Sequence, residues 1–340
     1  MKRKINSTDV ARLAGVSQAT VSYVLNGRDG QSLREETRRK VLQAAKTLGY
    51  QPNPAARALV TGRTGMIALW VPLTYHSVFQ HVVEQIVRLA NQSRLHLIIA
   101  QTYEERTQTQ SETHLLSRIH VDGVLAFDAT DLVNELIQQP GLPPIVSFGP
   151  AHSTNTDYVG IDMYGGSREA VLHLQSVGCR RIAYAAFHNA LRPGDVRCDA
   201  YCDIMASDGL EPEMIPLEHG DYADSYVGIK AYLERNPRPD GLFCWNDESA
   251  IAANRACADL GLRVPDDMAI IGLDGIRESA YCVPALSTLA QPFEEMCATA
   301  WHYLMQRLNE PSLPRQGVLM PMKLEARAST RRTAPMTQGA

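Results

Sequence analysis

Residues 7–28, STDVARLAGVSQATVSYVLNGR, carry side chains suited to reading another polymer rather than transforming a small molecule. Gln18, Ala19, Ser22 and Tyr23 recur on one side of a predicted helix and can reach base edges without filling a DNA major groove. Constellations that could do covalent or metal chemistry are incomplete elsewhere. Cys198 and Cys202 stand four apart on a predicted helix, but no His or carboxylate cluster completes a ligand set around them. His76 and His81 are five apart, which is not the four-residue step of a helical zinc pair. There is no glycine-rich phosphate loop, no G-x-S-x-G elbow and no nucleophile with an evident base. The sequence therefore calls for no catalytic residue, no metal and no cofactor.

The elements that must position the reading face are short helices. Ser7 can cap a first helix over about 8–14, with Val10 and Leu13 inward, and Gly15 can supply the positive φ that ends it. Ser17 caps a second helix whose buried stripe is Val21, Val24 and Leu25. Ser32 and Glu35 have capping-box spacing before a third helix, where Val41, Leu42, Ala45 and Leu48 recur at helical intervals. Residues 52–64, rich in Pro, Gly and Ala, read as a linker able to form a turn or two of helix only against a partner.

Charge supports a reader of phosphates. Residues 1–63 hold 12 Lys or Arg and 4 Asp or Glu, a net +8, while the rest of the chain is −12 and the total −4. A pI near 6.2 hides this basic module, which would be drawn to nucleic acid and would lose affinity with salt.

From Met66 onward, apolar strand candidates (MIALWV, LHLIIA, GVLAF, PIVSF) alternate with helices near 78–93, 107–119 and 130–138. A second set follows residue 160, with a helix at about 165–177, RIAYAAF, helices near 198–208 and 224–235, GLFCW, a helix near 248–260, and MAIIGL. A helix at about 293–308 and a strand near 317–325 come after both sets. The fold class is therefore α/β with parallel sheets behind an all-α head, and two similar units in series imply two lobes with a ligand cleft at the carboxyl ends of their strands. The expected divisions are a helix-turn-helix head over 1–51, a hinge over 52–64 and a two-lobe core over 65–340. The first lobe takes about 65–161 and 292–315, the second about 162–291 and 316–330.

With 340 residues and 45% hydrophobic content, there is material for more than one core. The longest apolar run, 67–73, is too short to span a bilayer, and MKRKINS leads into a polar helix rather than an apolar signal segment, so a cytoplasmic protein is expected. Seven cysteines, all from Cys179 onward and without a C-x-x-C pair, suit free thiols in a reducing compartment.

Several motifs in order, DVARLAGVSQATVSYVLNG, NPAARALVTGRT, VDGVLAF, CWNDESAIAA, LGLRVPDDMAIIGLDG and PALSTLAQP, give the chain a resemblance to the LacI/GalR family of bacterial transcription regulators over essentially its whole length. The resemblance implies a core like that of periplasmic binding proteins, a homodimer on a near-palindromic double-stranded operator, and a small effector, a sugar or sugar derivative, bound between the lobes. Gln18, Ala19 and Tyr23 would then lie against bases, with Ser17 opening the same helix and Thr20, Ser22 and Asn26 positioning it on phosphates. Ala56 and Arg57 would contact the minor groove, and Leu59 would be the apolar wedge at a central base step. In the cleft, Arg197, Asn246 and Asp274 match polar effector-binding positions, and Phe79 and Tyr222 match aromatic ones. Trp245 would add a further platform. This sequence departs from many relatives at Ala19, at Tyr23, and at Gly149, where sugar-responsive relatives often carry aspartate.

Rival readings are a purine or nucleoside effector in the same kind of regulator, a solute-binding module of transport, and an enzyme on the α/β core. The basic head argues against the transport module, and turnover of a bound sugar or nucleoside would be the test of the enzyme. For the wedge, Leu59→Ala is expected to weaken binding to a specific operator at least tenfold while leaving non-specific DNA binding nearly unchanged. Fluorescence anisotropy on the two DNAs checks this, and equal losses on both would remove the wedge assignment.

Overall fold

The computed structural model describes residues 5–26, 34–51, 58, 61–72, 77–102 and 120–331. The chain divides into two compact units, Met1–Gly65 and Met66–Ala340.

In the first unit, α1 (Ser7–Ala14), α2 (Gln18–Asn26) and α3 (Glu35–Leu48) enclose a small core of Val10, Ala11, Val21, Val24, Val41, Ala44 and Ala45. Asn6, not Ser7, caps α1. Its Oδ1 accepts from the Asp9 N–H at 3.1 Å, and Asp9 Oδ2 accepts from the Asn6 N–H at 3.1 Å, a reciprocal capping box. Gly15 ends the helix in the left-handed region at φ 68°, as expected. Leu13, expected inside, is 55% exposed, and Leu42 is 48% exposed. The reason is angular, since at 100° per residue the buried stripe of α1 is centred between Val10, Ala11 and Ala14, and Leu13 falls about 110° from it. The same geometry puts Ala44 rather than Leu42 inside α3, so alanines line a core whose helices approach closely. Arg34 precedes α3 without a side-chain cap, and the proposed cap Ser32 lies outside the described residues.

The second unit holds two six-stranded sheets. The first contains β1 (Met66–Pro72), β2 (His96–Thr102), β3 (Gly123–Phe127), β4 (Ile145–Gly149), β5 (Asp157–Ile161) and β11 (Gly317–Met320) in the order β2-β1-β3-β4-β5-β11, all parallel. The second contains β6 (Ile182–Phe187), β7 (Glu213–Leu217), β8 (Gly241–Cys244), β9 (Ala269–Asp274), β10 (Ser287–Ala290) and β12 (Lys323–Glu325) in the matching order β7-β6-β8-β9-β10-β12, with only β12 antiparallel. Helices α4 (Ser77–Gln92), α5 (Thr130–Leu136) and α10 (Phe293–Asn309) cover the first sheet. Helices α6 (Met163–Ser176), α7 (Val196–Ser207), α8 (Tyr222–Arg235) and α9 (Asp247–Asp259) belong to the second lobe. β1, β3, β4 and β9 are buried nearly throughout, as expected of parallel strands with helices on both faces.

Three strands escaped the sequence pattern: β5 (DYVGI), β7 (EMIPL) and β10 (STLA), each short and diluted by charged, Gly, Pro or hydroxyl residues. The single strand expected near 317–325 is two strands in different sheets, so the last passage between lobes falls at 321–322 and not at 315–316. The helix expected near 107–119 lies outside the described residues. All seven cysteines are free thiols, five of them buried.

An almost fully buried ion pair ties α10 to β5. Arg307 donates from Nε and Nη2 to the two oxygens of Asp157 at 2.9 and 2.8 Å, and its Nη1 and Nη2 also donate to the carbonyls of Pro311 and Pro314 at 3.0 Å each. Asp157 Oδ1 accepts the Gln316 N–H at 2.8 Å as well, so one carboxylate organises the turn that leads into β11. Arg307→Met should cost about 3 kcal/mol by leaving that carboxylate buried without its cation, and should lower the melting temperature by roughly 5 °C or more. Arg307→Lys should recover only part of the loss, because a lysine lacks the planar fork. Calorimetry on both variants checks this.

Candidate DNA-reading face and ligand cleft

On the head, α2 begins with a turn stitched by side chains. Ser17 Oγ accepts the Thr20 N–H at 3.1 Å and lies 2.9 Å from Thr20 Oγ1, so Ser17 caps the helix as expected. Gln18 Nε2 donates to Ser7 Oγ at 2.8 Å, linking α2 to the start of α1. Ser17, Gln18, Ala19 and Ser22 are exposed, Thr20 and Tyr23 half-buried, and Val21 and Val24 turn inward. The expected reading residues thus share one outward face of a helix anchored at its first turn. Asn26 is the last residue of α2, while Ala56, Arg57 and Leu59 lie outside the described residues.

In the core, a cleft of about 750 Å³ lies between the two lobes. It is built from the carboxyl ends of the strands where each sheet's order reverses. The first lobe contributes Pro72 at the end of β1, Phe79 on the first turn of α4, Asp128 after β3 and Ala151 after β4. The second contributes Phe187 at the end of β6, Arg197 at the start of α7, Glu218 and His219 after β7, and Trp245 after β8.

Trp245 forms the apolar wall of the second lobe. Its ring packs against Phe187 at 4.6 Å between centroids, and Gly220 lies close beneath it, where a Cβ would come within 2.7 Å of the indole nitrogen. The Arg197 guanidinium sits 5.1 Å over the same ring. Asp195 fixes the base of that arginine by capping α7, its Oδ1 accepting the N–H groups of Arg197 at 3.0 Å and Cys198 at 3.2 Å. Among the described residues the buried Arg197 Nε has no hydrogen-bond partner, which leaves a fixed donor at a cleft wall. On the facing lobe Phe79 meets Phe127 edge-on at 5.5 Å, and Phe127 packs against Phe148.

Of the expected effector residues, Phe79, Arg197 and Trp245 line this cleft. Asn246 and Asp274 do not form its surface. Asn246 is 3% exposed and caps α9 by accepting the Ser249 N–H at 2.8 Å. Asp274, at φ 118°, accepts from Gln291 Nε2 at 2.8 Å. It also neighbours Asp247, whose carboxyl is held well above the usual range by complete burial and then by the Asp274 charge. Tyr222 is placed outside the cleft altogether. It borders a separate surface hollow with Ile251, Arg277 and Tyr281, and burial together with Glu248 pushes its hydroxyl up to about 12. The sequence reading missed Asp128, Phe187, Glu218 and His219. The strand-end rule pointed to the first two positions, since each closes a strand at the reversal of sheet order. The same cysteines weighed earlier, Cys198 and Cys202, have sulfurs 4.0 Å apart, and burial pushes both thiols up, Cys198 to about 12. No metal-binding cluster occurs among the described residues.

Comparison with known proteins follows the same division. Residues 8–53 match the bacterial regulatory proteins of the lacI family, and residues 171–330 match the periplasmic binding protein-like domain. The ribose operon repressor of Halalkalibacterium halodurans is 30% identical over 95% of this chain and 96% of its own. The structure of the regulator CelR with cellobiose superposes with a TM-score of 0.68 at 27% identity, covering 96% of this chain and all of the other. That of the lac repressor dimer on its operator superposes with a TM-score of 0.82 at 22% identity, covering 96% and 99%. The head, the two-lobed core and this full-length similarity together make the chain a member of the lacI family of bacterial regulatory proteins.

Proposed function

We infer that this protein is a cytoplasmic, homodimeric repressor that binds a near-palindromic operator and is controlled by a sugar or sugar derivative in the interlobe cleft. One observation carries the reading, the union in one chain of an outward polar recognition helix on a basic head with a polar and aromatic cleft between two lobes. Gln18, Ala19 and Tyr23 act on base edges, and Ser17, Thr20, Ser22 and Asn26 set the helix on the backbone. Ala56, Arg57 and Leu59 engage the minor groove. In the cleft, Arg197 donates to ligand oxygens while Trp245 and Phe79 cover the apolar faces of a sugar ring. Asn246 and Asp274 act from behind this surface by holding the ends of β8 and β9.

The ribose operon repressor and the CelR–cellobiose complex support a sugar effector, and the operator-bound lac repressor supports a dimer acting on a two-fold symmetric site. No helix among the described residues is long and apolar enough to cross a membrane. Ligand control follows from linkage, because an effector that binds one lobe arrangement more tightly shifts the population toward it and changes operator affinity by the same coupling energy. Phe79, Phe187 and Trp245, the Phe and Trp rings that line the cleft among the described residues, also suit a nucleobase, which makes a nucleoside effector the second reading.

Selection from a random duplex library should yield a near-palindromic site bound at least a thousandfold more tightly than competitor at moderate salt. No site preference would overturn the regulator reading. Thermal-shift measurements with D-ribose, cellobiose and adenosine should show stabilisation by a sugar, whereas stabilisation by adenosine alone would move the assignment to the second reading. Arg197→Ala should bind operator as the wild type does yet lose the response to that sugar. A normal response would discard the cleft.

A further inference from the structure

We propose that Cys198 and Cys202 form a dithiol site on α7 that captures a neutral trivalent arsenic compound, the arsenic bridging their two sulfurs. The site goes beyond the regulator reading and does not depend on it.

One turn of helix presents both side chains. Cys198 and Cys202 stand four apart on α7, and their sulfurs lie 4.0 Å from one another. The backbone beneath Cys198 is held, because Asp195 Oδ1 accepts its N–H at 3.2 Å as well as that of Arg197 at 3.0 Å. Cys198 is 3% exposed and Cys202 half-buried, so a reagent approaches the pair from the Cys202 side. A direct disulfide does not suit this spacing. Residues four apart on a helix hold their β-carbons about 5–6 Å apart, whereas a disulfide needs about 3.5–4.5 Å, so that bond would require the turn to open. A single atom placed between the sulfurs relaxes the demand.

The surroundings then select a reagent whose product is uncharged. Burial first, and after it Cys202, Asp195 and Asp199, push the Cys198 thiol up to about 12, and burial with the Asp199 and Asp203 charges raises that of Cys202. A monovalent cation would replace two protons by one positive charge and leave a negative product beside those carboxylates. No third His, Cys, Asp or Glu joins the two thiols in a metal-binding cluster among the described residues, so the set is a pair of sulfurs and not a zinc-type cage. Trivalent arsenic meets both conditions. With phenylarsine oxide the two S–H protons pass to the arsenic-bound oxygen, two As–S bonds form and one water leaves. With arsenite two hydroxyls leave as two waters and one stays on arsenic. Neither reaction changes an oxidation state or the net charge. The second As–S bond is intramolecular, so the pair should hold arsenic about a hundred- to ten-thousandfold more tightly than either thiol alone.

The test titrates the full-length reduced chain with phenylarsine oxide and, in parallel, with arsenite. The wild type is set beside Cys202→Ser and a variant carrying both Cys198→Ser and Cys202→Ser, which measures the background from the other five thiols. Intact-mass spectrometry should show a wild-type phenylarsine adduct one water lighter than a one-sulfur adduct. That adduct should survive excess mercaptoethanol and be removed by dimercaptopropanol. Cys202→Ser should raise Kd at least a hundredfold. Capture of phenylarsine oxide without arsenite restricts the ligand to organic arsenicals and keeps the site. A one-sulfur adduct of the wild type, its removal by the monothiol, or equal Kd in the wild type and Cys202→Ser overturns the proposal. Displacement of the arsenical by an equal concentration of Zn²⁺ overturns the ligand class. If Cys202→Ser melts lower than the wild type, Cys202→Ala supplies the second measurement, and a wild-type Kd in it also overturns the site.

Discussion

The polypeptide passes between the two sheets three times, at 162, 291–292 and 321–322, and these strands of backbone are what make a cleft rather than two separate domains. Each sheet is incomplete without chain that has already visited the other. β11 joins the first sheet only after the second has formed five strands, and β12 then closes the second. The passages are also tied to one another. The Asp162 N–H donates to the Met320 carbonyl at 2.8 Å, while Asp162 Oδ1 accepts the Gly165 N–H and so caps α6. Gln291, in the middle passage, bonds Asp274 through both backbone and side chain. Three short crossings, of which the first and last are bonded through Asp162 and Met320, join the lobes at one side, the arrangement of a hinge that keeps the strand ends facing each other.

From that constraint the site follows. In each sheet the strand order reverses beside the first strand, and a crevice opens there because successive connections leave to opposite faces. The residues just past β1, β3, β6 and β8 inherit that crevice whatever their identity, and in this chain they include Asp128 and Trp245. Polar groups at strand ends have their backbones fixed by the sheet, which lowers the entropy lost when a ligand is bound. Buried groups behind them do the fixing. Asp247 Oδ2 accepts the N–H groups of Gly275 and Ile276 at 2.8 and 2.9 Å, holding the turn after β9 against the start of α9.

Much of this architecture was legible in the sequence, because long apolar runs separated by helical periodicity force an alternating α/β reading. The head was legible too, since caps, a positive-φ glycine and a valine stripe agree. What escaped did so for identifiable reasons. β5, β7 and β10 are held by pairing with neighbours far away in sequence, and their own composition carries little strand preference. Leu13 and Leu42 were assigned inside on hydrophobicity, but in so small a head the close approach of helices favours Ala11 and Ala44. Tyr222 was assigned to the cleft from motif position alone, and Asn246 and Asp274 to direct ligand contact. Position in a motif fixes the strand end but not which side chain at that end turns outward. Asp128 was missed although the strand-end rule reaches its position, because only the pairing of β3 with β4 brings it beside Gly149, twenty-one residues on.

Tyr222 has a role that explains its position. Glu248, 3% exposed on the first turn of α9, reaches across to the first lobe and accepts from the Ser77 N–H at 2.7 Å and the Ser77 hydroxyl at 2.9 Å. It thereby caps the N-terminus of α4 from the opposite lobe, and Tyr222 bonds the same Ser77 side chain. Arg277 and Glu84 add an exposed ion pair between the lobes at 3.6 Å, which by itself contributes little. A buried carboxylate that loses two hydrogen bonds is destabilised until water or another donor replaces them. Parting the lobes at this point therefore costs the free energy of those bonds. Ser77 stands two residues before Phe79, and Glu248 two residues after Asn246, so the clasp shares its helical turns with the cleft walls. A ligand that presses on Phe79 or Trp245 acts on the same turns that must move for the clasp to open. A ligand can shift a balance between lobe arrangements only by as much as its affinities for them differ.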